Sequence, residues 1–175
     1  MSQDETLDKW ITIFCDVYSP DMEISNPANE AIHDKFQNDQ RFLIDVSTNL
    51  LMFEDCDDDK IMKAKSLSAV ILSQILNIRK NNLNELRRNL IQNEELTEQV
   101  INSLKQNVFS ADTSIRNLSA ECYSYLFAIL TQNWKDGIDD IVKSFNNTNL
   151  LPFGFIHLIS IMREIVDLIK CADGI

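Results

Sequence analysis

The sequence predicts an all-α fold, an α–α superhelix of about four helix pairs in one domain spanning residues 1–175. Three observations predict it. The chain of 175 residues holds only three glycines and three prolines, against roughly 12% for the two together in average usage, and sheet proteins consume both at their turns. Apolar residues recur at spacings of three and four along most of the chain. The helices so marked fall into pairs that begin at broadly regular intervals.

The first helix is expected over about Glu5 to Tyr18, with Leu7, Trp10, Ile11, Phe14 and Val17 on one face and Ser19-Pro20 as its stop. The second is expected to start at Asn26-Pro27, with Asn as cap and Pro in the first turn, where a missing N–H costs nothing. Its face is Ala28, Ile32 and Phe36. The third covers about Arg41 to Phe53, with Leu43, Val46, Leu50 and Leu51 inward. The run Glu54-Asp55-Cys56-Asp57-Asp58-Asp59 reads as a loop delivering negative charge to the next helix N-terminus, which the helix dipole favours. The fourth helix, about Asp58 to Ile78, is apolar on more than one face, as befits a helix packed on several sides.

A short helix is expected over Asn81 to Ile91. Asn93 caps the next, whose stripe is Leu96, Val100, Ile101 and Leu104. Asp112 caps a helix over about Thr113 to Thr131, with Ile115, Leu118, Cys122, Tyr125 and Ile129 inward. Trp134 stands in a linker, a short helix follows over about Lys135 to Phe145, and the last runs from about Leu151 to Cys171 and is again rich in apolar residues, Phe155, Leu158, Ile159, Met162, Ile165, Val166 and Ile169, so that the last pair offers much apolar surface. First helices of the pairs thus begin near residues 5, 41, 94 and 136, at spacings of 36, 53 and 42. Two-helix repeats of about 40–47 residues describe HEAT and armadillo solenoids; a compact irregular bundle is the alternative.

Composition narrows function. With 16 basic and 27 acidic residues the net charge is −11, which repels phosphate backbones and anionic lipid. Nucleic acid and membrane are therefore not expected as partners, and basic protein surfaces are. Cys15, Cys56, Cys122 and Cys171 form no Cys-x-x-Cys, so no zinc or redox site is expected. Met1-Ser2-Gln3-Asp4-Glu5 has no signal-peptide character, which makes the sequons at Asn117 and Asn146 unremarkable. The apolar stretch Leu150–Ile169 carries Arg163, Glu164 and Asp167, too much charge to span a bilayer. Three glycines, Gly137, Gly154 and Gly174, cannot make a phosphate loop. The acidic run lacks the glycine and closing glutamate of an EF-hand. His33 and His157 stand in no nucleophile motif. No enzyme activity, cofactor or metal is expected.

Polar stripes on otherwise apolar helices are the informative feature. Glu30, Asp34 and Gln37 share one helix face; so do Lys63, Ser66, Val70, Ser73 and Asn77; so do Asn117, Glu121 and Ser124; and so do His157, Ser160, Glu164 and Asp167. In a two-layer solenoid the second helices of the pairs line the concave wall, and these stripes would sum to a partner-binding groove. Four separate solvent faces would show the same pattern.

The sequence also resembles the N-terminal region of the importin-β (karyopherin-β) family. The opening from Trp10 to Phe42 is similar, with its Ser19-Pro20-Asp21 turn, Asn29-Glu30-Ala31 and Phe42-Leu43. The segment Ala69 to Leu76 resembles an apolar second helix of that family, with Ser73-Gln74 where Lys-Asn is usual. Residues 115–145 resemble it most, through Arg116, Ser119, Ala120 and the turn Gln132-Asn133-Trp134-Lys135-Asp136-Gly137-Ile138, in which Lys135 replaces the usual Pro and Gly137 the usual Leu.

The resemblance implies the first four HEAT repeats of a nuclear transport receptor. It implies binding of the GTP-bound small GTPase Ran through concave second helices, and localisation to cytoplasm and nucleus. It implies basic cargo or adaptor and nucleoporins as partners of a longer chain. The residues expected to bind are Glu30, Asp34, Gln37, Lys63, Ser66, Ser73, Gln74, Asn77, Asn117, Glu121, His157 and Glu164. The alternative is a general HEAT-repeat scaffold for another protein.

Overall fold

The computed structural model describes residues 3–77, 90, 92–130, 139, 143, 156–157, 159–163 and 166–167, and among these there is no strand. The fold is all-α. It divides into two units, Met1–Ile75 and Leu76–Ile175.

In the first unit, α1 (Gln3–Asp16) buries Trp10 and Phe14. Their rings meet edge to face at 5.7 Å, and Trp10 meets Phe42 at 5.3 Å. α1 packs on α2 (Met22–Asn38) and, through Trp10 and Phe42, on α3 (Gln40–Leu51), and α2 packs on α3. The α1–α2 turn closes through Tyr18 N–H to the Cys15 carbonyl and Ser19 N–H to the Asp16 carbonyl, both at 3.0 Å.

α2 corrects the expected boundary. It starts at Met22, not at Asn26-Pro27, because Asp21 is extended and its carboxylate accepts from Glu23 N–H at 2.9 Å. Pro27 therefore lies inside the helix. The Glu23 carbonyl loses the donor that Pro27 lacks, and the exposure of Glu23, Asn26 and Pro27 lets water take its place.

A single residue, Asp39, joins α2 to α3. Its N–H closes α2 on the Lys35 carbonyl at 2.8 Å, and its carboxylate opens α3 by accepting from Phe42 N–H at 3.3 Å. Lys35 pairs with the same carboxylate at 3.2 Å and lies 4.8 Å over the Phe42 ring. α3 buries Leu43, Val46, Leu50 and Leu51 as its spacing requires, and Ile44, Ser47 and Thr48 as well. α4 (Asp59–Leu76) starts where Asp58 accepts from Lys60 N–H at 2.9 Å, so the acidic run does feed a helix N-terminus. Ala64, Lys65, Ser68, Ala69, Ile71, Leu72, Ile75 and Leu76 are buried along it. The Cys15 thiol of α1 donates to the Lys60 carbonyl at 3.1 Å.

In the second unit, α5 (Glu94–Asn107) is capped by Asn93 and α6 (Thr113–Ile129) by Asp112, both as expected. The two helices pack on each other. Arg116 fastens their connection, its guanidinium donating to the Ser110 carbonyl at 2.9 Å and to the Thr113 hydroxyl at 3.2 Å. Residues 156–157, 159–163 and 166–167 are helical, as are Asp139 and Lys143. The expected helix over 81–91 (Leu90 apart), Trp134 with its turn, and Phe155, Leu158, Glu164, Ile165, Ile169 and Cys171 lie outside the described residues. No described helix is long and apolar enough to cross a membrane.

Candidate functional site

The stripe on α2 has the most open geometry. Glu30, Asp34 and Gln37 are all exposed, one turn apart on one face. With Asn29, His33 and Asn38 they line a single open depression along the helix. Asn38 donates to the Asp34 carboxylate at 2.8 Å, and Asn29 turns back to the Ser25 carbonyl at 2.8 Å. The face therefore offers two carboxylates, three amides and an imidazole, and most of its members are exposed polar groups suited to a protein surface.

The α4 stripe follows the edge of the buried zone. Lys63 and Gln74 are exposed, while Ser66, Val70, Ser73 and Asn77 are half-buried. Lys63 pairs with Asp59 at 2.6 Å. The hydrogen bond that the Lys63 ammonium donates to Asp59, and then the charge of Asp59, push that ammonium above the ordinary lysine value of 10.5.

On α6 the stripe turns inward. Asn117 is exposed and Glu121 half-buried, but Ser124 is buried and donates to the Ala120 carbonyl at 2.8 Å. Glu121 accepts from the Tyr125 hydroxyl at 2.7 Å.

The last stripe requires a correction. His157 is 2% exposed, its ring 4.8 Å from that of Tyr123, so it packs in the interior of its unit rather than on an outer wall. Ser160 and Asp167 are half-buried, and Glu164 lies outside the described residues. On the same segment Ile159, Met162 and Val166 are 62%, 57% and 46% exposed, in keeping with the apolar surface expected there, while Ile161 is buried. A segment apolar on most sides carries no inside of its own, and here the face through 157 and 161 meets the neighbouring structure.

Two features escaped the sequence pattern. Lys65 is 1% exposed, and its ammonium donates to the Phe53 carbonyl at 2.7 Å and to Asp55 at 2.5 Å. Its position two residues from Lys63, on the opposite side of the helix, was the available signal. The second is Tyr125, placed four residues after Glu121, a spacing that sets side chains side by side.

Thiol chemistry is muted. Burial, then the charge of Asp16, push the Cys15 thiol above its ordinary 9.0. Burial pushes the fully enclosed Cys122 thiol far higher. Among the described residues no group of three or more His, Cys, Asp or Glu is placed to hold a metal. No protein-family model matches the chain, and no curated protein matches it.

Proposed function

We propose that the chain is the N-terminal part of an importin-β-type array of HEAT repeats, and that it binds the GTP-bound form of a Ran-type small GTPase without catalysing a reaction. In this reading α1 and α2, α3 and α4, and α5 and α6 are successive pairs, and the second helix of each contributes to a concave wall. The observation that carries the reading is the α2 face, where Glu30, Asp34 and Gln37 are exposed together at helix-fixed spacing. The resemblance over residues 115–145 supports it from a separate part of the chain.

The physical basis is differential binding. A γ-phosphate orders the switch loops of a GTPase, and hydrolysis releases them. A rigid row of helix-borne side chains gains contacts from an ordered loop that it cannot gain from a mobile one, and only that difference discriminates between the nucleotide states. The net charge of −11 steers a basic surface toward the groove. Shuttling between cytoplasm and nucleus, and contacts with basic cargo or nucleoporins through a longer chain, belong to the same reading.

Isothermal calorimetry against Ran loaded with GTP or with GDP tests it. Tighter binding of the GTP form is expected; equal or absent binding to both rejects the transport reading. The second reading, a HEAT-repeat scaffold for a different protein, draws on Ser73 and the exposed Gln74, which stand where the resembled family usually carries Lys-Asn. It predicts binding that ignores the nucleotide.

A further inference from the structure

We infer that Tyr125 is a positioning residue for the partner surface: its buried phenol holds the Glu121 carboxylate in the orientation that receives a basic side chain of the bound protein. The inference rests on the reading above and names one contact within it. Tyr125 is 1% exposed, so its ring is fixed by packing. Its hydroxyl donates to Glu121 Oε1 at 2.7 Å. Glu121 itself is half-buried, one turn from exposed Asn117 on the same face. Ser124, the third member of that stripe, is buried and spends its hydroxyl on the Ala120 carbonyl. Asn117 and Glu121 are thus the members of this stripe left to face a partner.

The phenol matters because a glutamate on a helix surface samples several rotamers, and binding an ammonium or guanidinium would have to freeze it. A donor anchored in the interior restricts it beforehand, which is preorganisation. A carboxylate accepts up to about four donors. The phenol takes one, which leaves capacity for a charged donor from outside and holds the acceptor still for it.

The test uses the full chain carrying Tyr125→Phe, which keeps the ring and removes the hydroxyl. Side-chain scalar couplings of Glu121, read by NMR, should report one rotamer in the wild type and an average in the variant. Affinity for GTP-loaded Ran should fall about fivefold, the worth of one hydrogen bond. Glu121→Gln keeps an acceptor for the phenol but loses the charge; it should weaken binding while its side chain stays in one rotamer. Combining Tyr125→Phe with Glu121→Ala should weaken binding no more than Glu121→Ala alone. A Tyr125→Phe chain that melts earlier yet keeps wild-type couplings and affinity makes the hydroxyl merely structural and overturns the inference. Should wild-type chain bind neither nucleotide form, the transport reading fails on that result alone. The couplings then decide Tyr125, with averaging in the variant supporting its role and a single rotamer overturning it.

Discussion

Lys65 shows how one residue can set a local energy balance. Taking an ammonium out of water costs several kcal/mol, which its hydrogen bonds to Phe53 and Asp55 must offset. The two partners are not equivalent: the Lys65 side chain is 2% exposed and that of Asp55 31%. Asp55→Ala strands a buried charge and should cost about 3 kcal/mol in urea unfolding. Lys65→Met leaves a carboxylate that water reaches, and should cost about 1 kcal/mol. The opposite order would show that the loop, not the ammonium, controls this corner.

The cysteines give a second residue-scale prediction. Exposed Cys56 should react first with a thiol reagent, Cys15 more slowly, and buried Cys122 only on unfolding, as mass spectrometry of labelled peptides would show. Raised folded-state thiol values also set a sign. The folded chain holds these protons where the unfolded chain releases them, so stability is full below the ordinary thiol value near 9.0 and falls as pH rises past it. A melting temperature constant from pH 8 to pH 10.5 would contradict this. None of this was visible in the sequence, because a lysine or thiol looks the same whether its neighbours bury it or not.

At the scale of elements, the caps were legible and the proline was not. Asn93 and Asp112 cap α5 and α6 where the sequence places them, because capping is settled within four residues of chain. Asp21 escaped notice because Asn26-Pro27 offers an equally good local start; the longer helix begins at Asp21, whose carboxylate caps it by accepting from Glu23 N–H. Asp39→Ala removes the cap of α3 and the partner of Lys35, and should lower stability by about 1–2 kcal/mol. Pro27→Ala restores a donor for the Glu23 carbonyl inside α2 and should raise stability by about 1 kcal/mol, the helical gain being reduced by a freer unfolded chain. Thermal unfolding reads both, and a Pro27→Ala chain less stable than wild type would mean that the restriction Pro27 places on the unfolded chain outweighs the lost helical hydrogen bond.

Across the whole molecule, net charge was the legible quantity. A net charge of −11 predicts an association rate with a basic partner that falls about tenfold between low and physiological-plus salt. Stopped-flow mixing would measure it, and Glu30→Lys with Asp34→Lys should slow the low-salt rate most if the α2 face receives the partner. The expected pairs beginning near residues 5 and 41 fall within Met1–Ile75, but for the last residues of α4, and those near 94 and 136 within Leu76–Ile175. The longest interval in the spacing, 53 residues, contains that division.

By itself the sequence determined that the described chain is helical, where α3, α4 and α6 begin and end to within two residues or so, where α5 begins, and that Leu43, Val46, Leu50 and Leu51 of α3 and Leu96, Val100 and Leu104 of α5 turn inward. Those outcomes follow from hydrogen bonds and side-chain periods that act over one or two turns. Tertiary structure alone decided that His157 and Ile161 turn inward while Ile159, Met162 and Val166 face out, that Lys65 is enclosed, and that Tyr125 reaches Glu121 from a buried ring. A helix with apolar residues on several sides has no inner face until another part of the chain covers one of them, and burial is a property of that neighbour as much as of the residue.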